Sequence, residues 1–233
     1  MSMSRTIARA ITNYDDPRSF GSRLRARRVA PLKAMIESVH AQHGHVSIID
    51  IGGTEQYWNI LPRQYLIEHD VRIAVVNLPS SELPPDHGLF TFTTGDGCDL
   101  SVVPDRAFHI AHANSVIEHV GDWPRMQRFA AELRRVSEHQ YVQTPNFWFP
   151  VEPHCMTPFF HWLPRPTRMW LVRKYELGHW PRAESVDAAA LRVDSARLLD
   201  RSMMASLFSD CSISIERLLG LPKSIIAVGH GAN

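Results

Sequence analysis

The chain has 233 residues, of which 44% are hydrophobic and 21% charged, a composition that allows one α/β domain with a sizeable core. Its 25 basic and 24 acidic side chains nearly cancel, so no overall field favours nucleic acid or an anionic membrane surface. The sequence contains no apolar run of about 18 residues, so no membrane-spanning helix is predicted. The three cysteines lie far apart without C-x-x-C spacing, which favours a reducing compartment, and we expect a cytoplasmic protein.

The N-terminal region predicts a helical extension over about residues 1–44. Residues 1–28 are rich in Arg and Ser, yet acidic residues interrupt them and no apolar segment follows, so a targeting peptide is the lesser interpretation. From Phe20 onward apolar residues recur near helical spacing, and Pro31 is expected to break or restart the helix. The arginines between them form either a solvated face or a basic patch beside a ligand cleft: Arg23, Arg25, Arg27 and Arg28.

Five short apolar runs predict buried strands. They are Val46–Ile51, Val71–Leu78, Leu89–Thr93, Ala107–Ala113 and Tyr141–Thr144. A weak helix from Glu55 to His69, interrupted by Pro62, follows the first run, and an amphipathic helix over Trp123–Ser137 precedes the last. Strands that alternate with helices in this way predict a parallel sheet with helices on both faces.

After Pro145 the sequence becomes aromatic and rich in proline. Residues 146–199 are predicted to form a lid or the wall of an acceptor pocket within a single domain spanning 1–233. Asp200 is expected to cap a helix that runs through Phe208. A terminal antiparallel pair is predicted from Ile213–Leu218 and Ser224–Val228.

Polar residues follow the predicted strands at their carboxyl ends, where open α/β sheets bind ligands. The sequences at these ends are Asp50-Ile51-Gly52-Gly53-Thr54, Gly95-Asp96-Gly97-Cys98-Asp99-Leu100 and His112-Ala113-Asn114-Ser115-Val116-Ile117-Glu118-His119-Val120. Glycines after the first strand allow the backbone to approach a ligand closely. Alone this signal is weak, because many α/β folds have glycine there.

The order DIGGT, GDGCDL, FHIAHANSVIEHVGDW and YVQTPN resembles the class I S-adenosylmethionine-dependent methyltransferases. Within them it is similar to the bacterial small-molecule branch often labelled methyltransferase type 11. The resemblance extends from about Phe20 to Val228. It implies a Rossmann-like α/β fold, with a seven-stranded, mostly parallel sheet whose last strand is antiparallel, and S-adenosyl-L-methionine as cofactor.

The resemblance also implies roles for particular residues. Those expected to hold the cofactor are Asp50, Gly52, Gly53, Asn77, Asp96, Gly97, Asn114 and Ser115. Asn77 stands where the family usually has a ribose-binding carboxylate, and Asp96 matches the residue that meets the adenine amino group. Thr54 and Gln56 stand where further glycines are usual, and His109 replaces a common aspartate.

A histidine near the cleft suits deprotonation of a methyl acceptor, because its pKa lies close to neutrality. His119 is the first candidate for general base, although it could instead cap the following helix or orient a neighbour. His154 and His161 are second candidates, and Glu152 is a further one. The seven-residue spacing of the lid histidines has no paired ligand motif, so no metal site is predicted.

The predicted function is methyl transfer to an oxygen or nitrogen of a small-molecule acceptor. Nucleic acid is not an expected partner, since no Asn/Asp-Pro-Pro-aromatic motif follows the fourth strand. A nicotinamide-dependent oxidoreductase needs a G-x-G-x-x-G loop that Gly52-Gly53 does not begin. The alternative is a methyltransferase-fold binding or scaffold protein without catalysis. The lid aromatics either close the core or line an acceptor pocket: Phe147, Trp148, Phe149, Phe159, Phe160 and Trp162. Acceptor identity and oligomeric state stay open.

Overall fold

The computed structural model describes residues 20–79 and 82–229, with the backbone alone for 20–27. The α-helices are α1 (Phe20–His43), α2 (Glu55–Trp58), α3 (Arg63–Glu68), α4 (Trp123–Val136), α5 (Arg165–Lys174), α6 (Val186–Val193) and α7 (Arg201–Leu207). The strands are β1 (Val46–Ile51), β2 (Val71–Asn77), β3 (Phe90–Thr94), β4 (Phe108–Asn114), β5 (Ser137–Pro145), β6 (Val151–Glu152), β7 (Thr157–Pro158), β8 (Cys211–Leu218) and β9 (Leu221–Gly229). Short 3₁₀ turns span Ile117–His119 and Phe160–Trp162.

Seven strands form one sheet in the order β3-β2-β1-β4-β5-β9-β8. The first five run parallel, whereas β9 is antiparallel to both β5 and β8. The predicted mixed seven-stranded sheet with an antiparallel last strand is therefore confirmed. Strand order reverses between β1 and β4, which pair with Asp50 opposite His112. This reversal brings the polar ends of both strands to one edge.

Helices cover both faces of the sheet because neighbouring strand residues point to opposite sides. Ile48 packs with Leu32 of α1, whereas Ile49 packs with Phe129 of α4, and all four side chains are fully buried. The amphipathic pattern of α4 is confirmed, since its predicted apolar residues are buried: Met126, Phe129, Ala130, Leu133 and Val136. Burial of these faces holds the edge formed by the carboxyl ends of the parallel strands in place.

The expected break at Pro31 is wrong, because α1 is helical from Phe20 to His43 with Pro31 inside it. A proline in a helix interior costs about 3 kcal/mol. Four or more buried apolar side chains on the same helix, including Leu32 and Ile36, offset that cost against the sheet. The possible targeting segment lies outside the described residues, as do the side chains of Arg23, Arg25 and Arg27.

The segment after β5 forms a small layer with its own apolar core. The strands β6 and β7 pair, and α5 packs beside α6. Its core residues are Cys155, Phe160, Val172, Ala183, Ala189 and Val193. Asp200 caps α7 as expected, accepting a hydrogen bond from Met203 N at 2.9 Å. None of the helices within 20–79 and 82–229 has the length and hydropathy needed to cross a membrane.

Candidate functional site

The end of β1 is closed over the Asp50 carboxylate, which is fully buried. Trp58 Nε1 donates a hydrogen bond to Asp50 Oδ2 at 2.8 Å, and His112 Nδ1 lies 2.6 Å from Oδ1. The loop folds back so closely that a Cβ on Gly53 would lie 1.8 Å from Asp50 Oδ2. Asp50 therefore binds protein groups, and the loop above it presents mainly backbone to a ligand.

Direct contacts join the loop tips at this edge. Asn77 Nδ2 donates to Gly53 O at 3.1 Å, and Gly95 N donates to Asn77 O at 2.8 Å. Gly52 has a φ of +68° and lies against Val116 of the loop after β4, whose Cγ2 would be 2.7 Å from an added Cβ. The ends of all four strands thus adjoin one another, and the Asn77 amide is already engaged.

The Asp96 carboxylate lies beside Arg125, with Arg125 Nη2 2.7 Å from Asp96 Oδ2. Asp96 Oδ1 accepts a hydrogen bond from Cys98 N at 2.9 Å. Partial burial acts to raise the pKa of Asp96, but the hydrogen bonds from Arg125 and Cys98 outweigh it and lower the pKa. Gly97 is buried behind it against Phe129. These groups edge an open groove of about 580 Å³ along α4.

The end of β4 carries one unsatisfied acceptor. Asn114 Oδ1 is buried and has no hydrogen-bond partner among the described residues. Ser115 next to it has a φ of +57° and donates from N to Gln143 O at 2.9 Å and from Oγ to Gln143 Oε1 at 3.2 Å. A buried acceptor without a donor calls for a ligand or water, so Asn114 fits a group that donates a hydrogen bond.

The two predicted catalytic histidines meet. His119 Nε2 and His154 Nε2 lie 3.0 Å apart, although 35 residues separate them in the chain. His119 Nδ1 lies 2.7 Å from Ser195 O, and His154 Nδ1 lies 2.6 Å from Glu152 Oε1. Glu152, itself buried, also accepts from His154 N at 2.8 Å and fixes the turn of the lid.

The environment moves the pKa values of this cluster in different directions. Burial lowers the pKa of His119 below its usual 6.5. Burial acts the same way on His154, but the hydrogen bond and charge of Glu152 outweigh it and raise the pKa. Burial also raises the pKa of Glu118 to about 7. The cluster therefore places ionisable groups of opposite charge side by side, with Glu118 buried, His154 half-buried and His119 exposed.

Glu118 was missed as a functional candidate. Its side chain is 1% exposed, with Oε2 accepting from Thr144 Oγ1 at 2.9 Å and Oε1 lacking a partner among the described residues. Glu118, His119 and His154 each offer one potential ligand atom, and these atoms lie within 4.8 Å of one another. The adjacent Glu118-His119 pair was visible in the sequence, but the approach of His154 was not.

A second buried polar group is His112, which the sequence placed at the polar end of the fourth strand without a predicted role. Its ring stacks on Tyr141 at 5.5 Å between centroids, and its Nε2 has no partner among the described residues. Tyr57, 4.7 Å away between ring centroids, has a buried hydroxyl without a partner, and burial raises its pKa. The available signal was a histidine inside an apolar strand run, opposite the equally buried Asp50.

His161, a second candidate for the base, holds the lid together. His161 Nε2 and Trp162 Nε1 each lie 2.8 Å from Phe147 O. The lid aromatics divide between two environments, since Phe160 is buried in the lid core and Trp148 is 57% exposed. The first predicted alternative, core closure, thus describes only part of the segment.

A cavity of about 320 Å³ lies within the lid segment, between residues 147–180 and residues 192–198. Glu152 and Ser195 line it, and the same two residues contact the histidine pair. Arg168 also lines the cavity, and its Nε is buried without a partner among the described residues. The cavity therefore borders the histidines and presents a cation.

No family model and no curated protein matches the chain. Among solved structures, it is similar to an O-methyltransferase family protein from Burkholderia thailandensis, at 11% identity and a TM-score of 0.49, covering 89% of this chain and 58% of that one. A SAM-dependent methyltransferase from Methanosarcina mazei shows 15% identity and a TM-score of 0.48, covering 84% and 98%. A putative Zn-dependent alcohol dehydrogenase from Rhodobacter sphaeroides shows 9% and 0.49, covering 90% and 98%.

The chain thus spans only 58% of the length of the Burkholderia protein. At these identities and TM-scores, the likenesses decide nothing about its chemistry. The fold is defined by the sheet itself, which has seven strands in the order β3-β2-β1-β4-β5-β9-β8. A mostly parallel sheet of seven strands with an antiparallel last strand is the Rossmann-like arrangement that the sequence resemblance implies.

Proposed function

We propose that this protein is a methyltransferase that moves the methyl group of S-adenosylmethionine to an oxygen or nitrogen of a small-molecule acceptor. The observation that carries the proposal is a pair of hydrogen-bond acceptors at one sheet edge. Asn114 Oδ1 is buried without a donor, and the Asp96 carboxylate is partly exposed. S-adenosylmethionine bears amino groups at its methionine and adenine ends, and these are the donors that such acceptors fit.

Different residues at this sheet edge would bind different parts of the cofactor. Asn114 would accept from the methionine ammonium group and Asp96 from the adenine amino group, while Gly52 and Gly53 keep the loop backbone close. When bound, the cofactor supplies a sulfonium methyl group that is already activated for displacement. Alignment of the acceptor and exclusion of water can then supply much of the rate.

The acceptor would bind in the 320 Å³ cavity, which is at the small end of the range for ligand pockets, about 300–1,000 Å³. The unpaired Nε of Arg168 favours an acceptor that carries a carboxylate or phosphate. The histidine pair at the edge of the cavity would orient the reacting oxygen or nitrogen and receive its proton, the role predicted for His119.

A non-catalytic binding protein is the second candidate, and two contacts favour it. The Asn77 amide is held by Gly53 O, and Arg125 already pairs with Asp96. A cofactor must compete with both contacts, which lowers its affinity. A protein that kept the fold and lost the reaction would tolerate such contacts.

Calorimetric titration with S-adenosylmethionine and S-adenosylhomocysteine tests the proposal. We expect Asp96→Ala to lose about tenfold or more in affinity, because a hydrogen bond to a charged group is worth roughly 1.5–3 kcal/mol. His119→Ala should keep its affinity and slow turnover, measured as S-adenosylhomocysteine release over an acceptor panel. Asp187→Ala, at an exposed carboxylate in the first turn of α6 that does not line the groove beside Asp96, is the matched control.

Each other outcome has a definite meaning. Equal loss of affinity in the Asp96 and His119 variants would contradict the division between cofactor binding and acceptor activation. No binding of either compound at millimolar concentration would exclude the proposed methyltransferase activity. Tight binding without turnover on any acceptor would favour the binding protein.

A further inference from the structure

The cluster of Glu118, His119 and His154 combines groups from two separate elements. Glu118 and His119 belong to the 3₁₀ turn that follows β4, whereas His154 belongs to the turn between β6 and β7. One potential ligand atom from each residue lies within 4.8 Å of the other two. The cluster therefore depends on the packing of the lid against the turn that follows β4.

The hydrogen bonds behind the two histidines determine which nitrogens face each other. Ser195 O can only accept, so His119 Nδ1 is the donor of their 2.7 Å hydrogen bond. Glu152 Oε1 stands 2.6 Å from His154 Nδ1, which is likewise the donor. In the neutral tautomers both Nε2 atoms then carry lone pairs, and these point at each other across 3.0 Å. Two lone pairs at that distance repel, and a bound cation removes the repulsion.

The carboxylate of Glu118 completes the set of donors. Thr144 fixes Oε2, whereas the buried Oε1 has no partner among the residues described. Burying a carboxylate oxygen without a donor is costly unless a proton or a metal ion meets it. The Glu152–His154 contact is the carboxylate-behind-histidine arrangement that orients metal-binding imidazoles in proteins.

From this geometry we infer that Glu118, His119 and His154 bind a divalent transition-metal ion, with Zn²⁺ as the favoured metal. Two imidazoles and one carboxylate are a known catalytic zinc set that leaves one coordination position open. Tetrahedral zinc with bonds of about 2.0–2.1 Å places two nitrogens about 3.3 Å apart. The observed 3.0 Å is close to that separation. Mg²⁺ and Ca²⁺ prefer oxygen ligands and do not suit this set.

The metal site is inferred from the three residues alone and does not depend on methyl transfer. Only the role of the ion in the reaction rests on the proposed function. The three residues adjoin the acceptor cavity through Glu152 and Ser195, which line it and contact His154 and His119. There the ion would hold the acceptor oxygen and lower its pKa, and the proton would pass to water, because both histidine Nε2 atoms would be bound to the ion and could not receive it. The spacing of the two lid histidines predicted no metal site. Of these two only His154 belongs to the cluster, and His161 does not.

The test uses the full chain without a polyhistidine tag, freed of metal with a chelator. Titration with ZnCl₂ in a calorimeter should show one equivalent bound, and CoCl₂ should give the visible absorption bands of a low-coordinate Co²⁺ site. His119→Ala and His154→Ala should each lower Zn²⁺ affinity by at least 100-fold. Glu152→Gln should lower it by 10- to 100-fold, because it acts through His154. His179→Ala, at an exposed histidine, should leave it unchanged.

Thermal melting of each variant shows whether it is folded. If His154→Ala does not fold, the Zn²⁺ affinity of His119→Ala still tests the site. No Zn²⁺ or Co²⁺ binding by the wild-type protein would overturn the site and leave a histidine pair that shares a proton. Stoichiometric binding that persists in His119→Ala would place the ion elsewhere and overturn it too. Stoichiometric binding lost in these variants, without any binding of S-adenosylmethionine, would sustain the site and remove the proposed function.

Discussion

Gly53 shows how a single residue sets the shape of the loop that follows β1. Its Cα lies so close to the buried Asp50 carboxylate that an alanine Cβ would overlap Oδ2 at 1.8 Å. The carboxylate cannot move aside, because Trp58 and His112 hold both of its oxygens. The loop conformation at the end of β1 therefore depends on the absence of a side chain at this one position.

We expect Gly53→Ala to lower the free energy of unfolding by about 2–3 kcal/mol, as overpacking in a rigid site does. Urea denaturation measures it. Gly220→Ala is the control, since its φ of +82° costs about 1 kcal/mol but an added Cβ meets nothing within 4 Å. If the Gly53 clash is real, its cost shrinks in an Asp50→Ala background, and strict additivity of the two substitutions would contradict it.

At the scale of the element, α1 persists through Pro31 although its local sequence argues against this. The helix gains its stability from side chains such as Leu32, Met35 and Ile36, all buried against the sheet. Local propensity would end the helix at the proline. Packing across the tertiary structure decides otherwise.

Pro31→Ala should therefore raise the free energy of unfolding by about 1–3 kcal/mol, because it restores a backbone hydrogen bond and removes a steric clash in the helix interior. Urea denaturation at neutral pH tests this. Pro166→Ala is the matched control: Pro166 lies in the first turn of α5, where the N–H has no intrahelical partner. A gain of equal size in both variants would count against the interior strain.

At the scale of the whole molecule, an ion pair joins the first helix to an edge strand near the other end of the described chain. Arg28 Nη2 of α1 lies 3.2 Å from Glu216 Oε2 of β8, with side-chain exposures of 13% and 8%. The two residues are 188 positions apart in the chain. The arginine that the sequence offered as a solvated or ligand-facing charge is instead part of the packing between the first helix and an edge strand.

Arg28→Met should destabilise the protein by about 3 kcal/mol, because it leaves the Glu216 carboxylate buried without its partner. The double variant Arg28→Met/Glu216→Met should recover most of that loss, since apolar replacement of a buried pair is close to neutral. Lys33→Met, in the exposed Lys33–Glu37 pair, should cost less than 1 kcal/mol. Failure of the double variant to recover would show that the pair does more than satisfy two buried charges.

The sequence by itself determined the layered fold, because strands and helices follow from local apolar periodicity, and parallel strands must bring their polar ends to one edge. It also named Asp96, Asn114 and His119 as polar residues of that edge, since each follows or ends an apolar run, and it named His154 as a candidate in the lid. It could not show their partners. Ser195 approaches His119 across 76 residues and His154 approaches it across 35, and such contacts leave no trace in local spacing. Only the tertiary structure decided that the histidines face each other, that Glu118 is buried beside them, and that Asp50 is enclosed, because packing brings distant segments together.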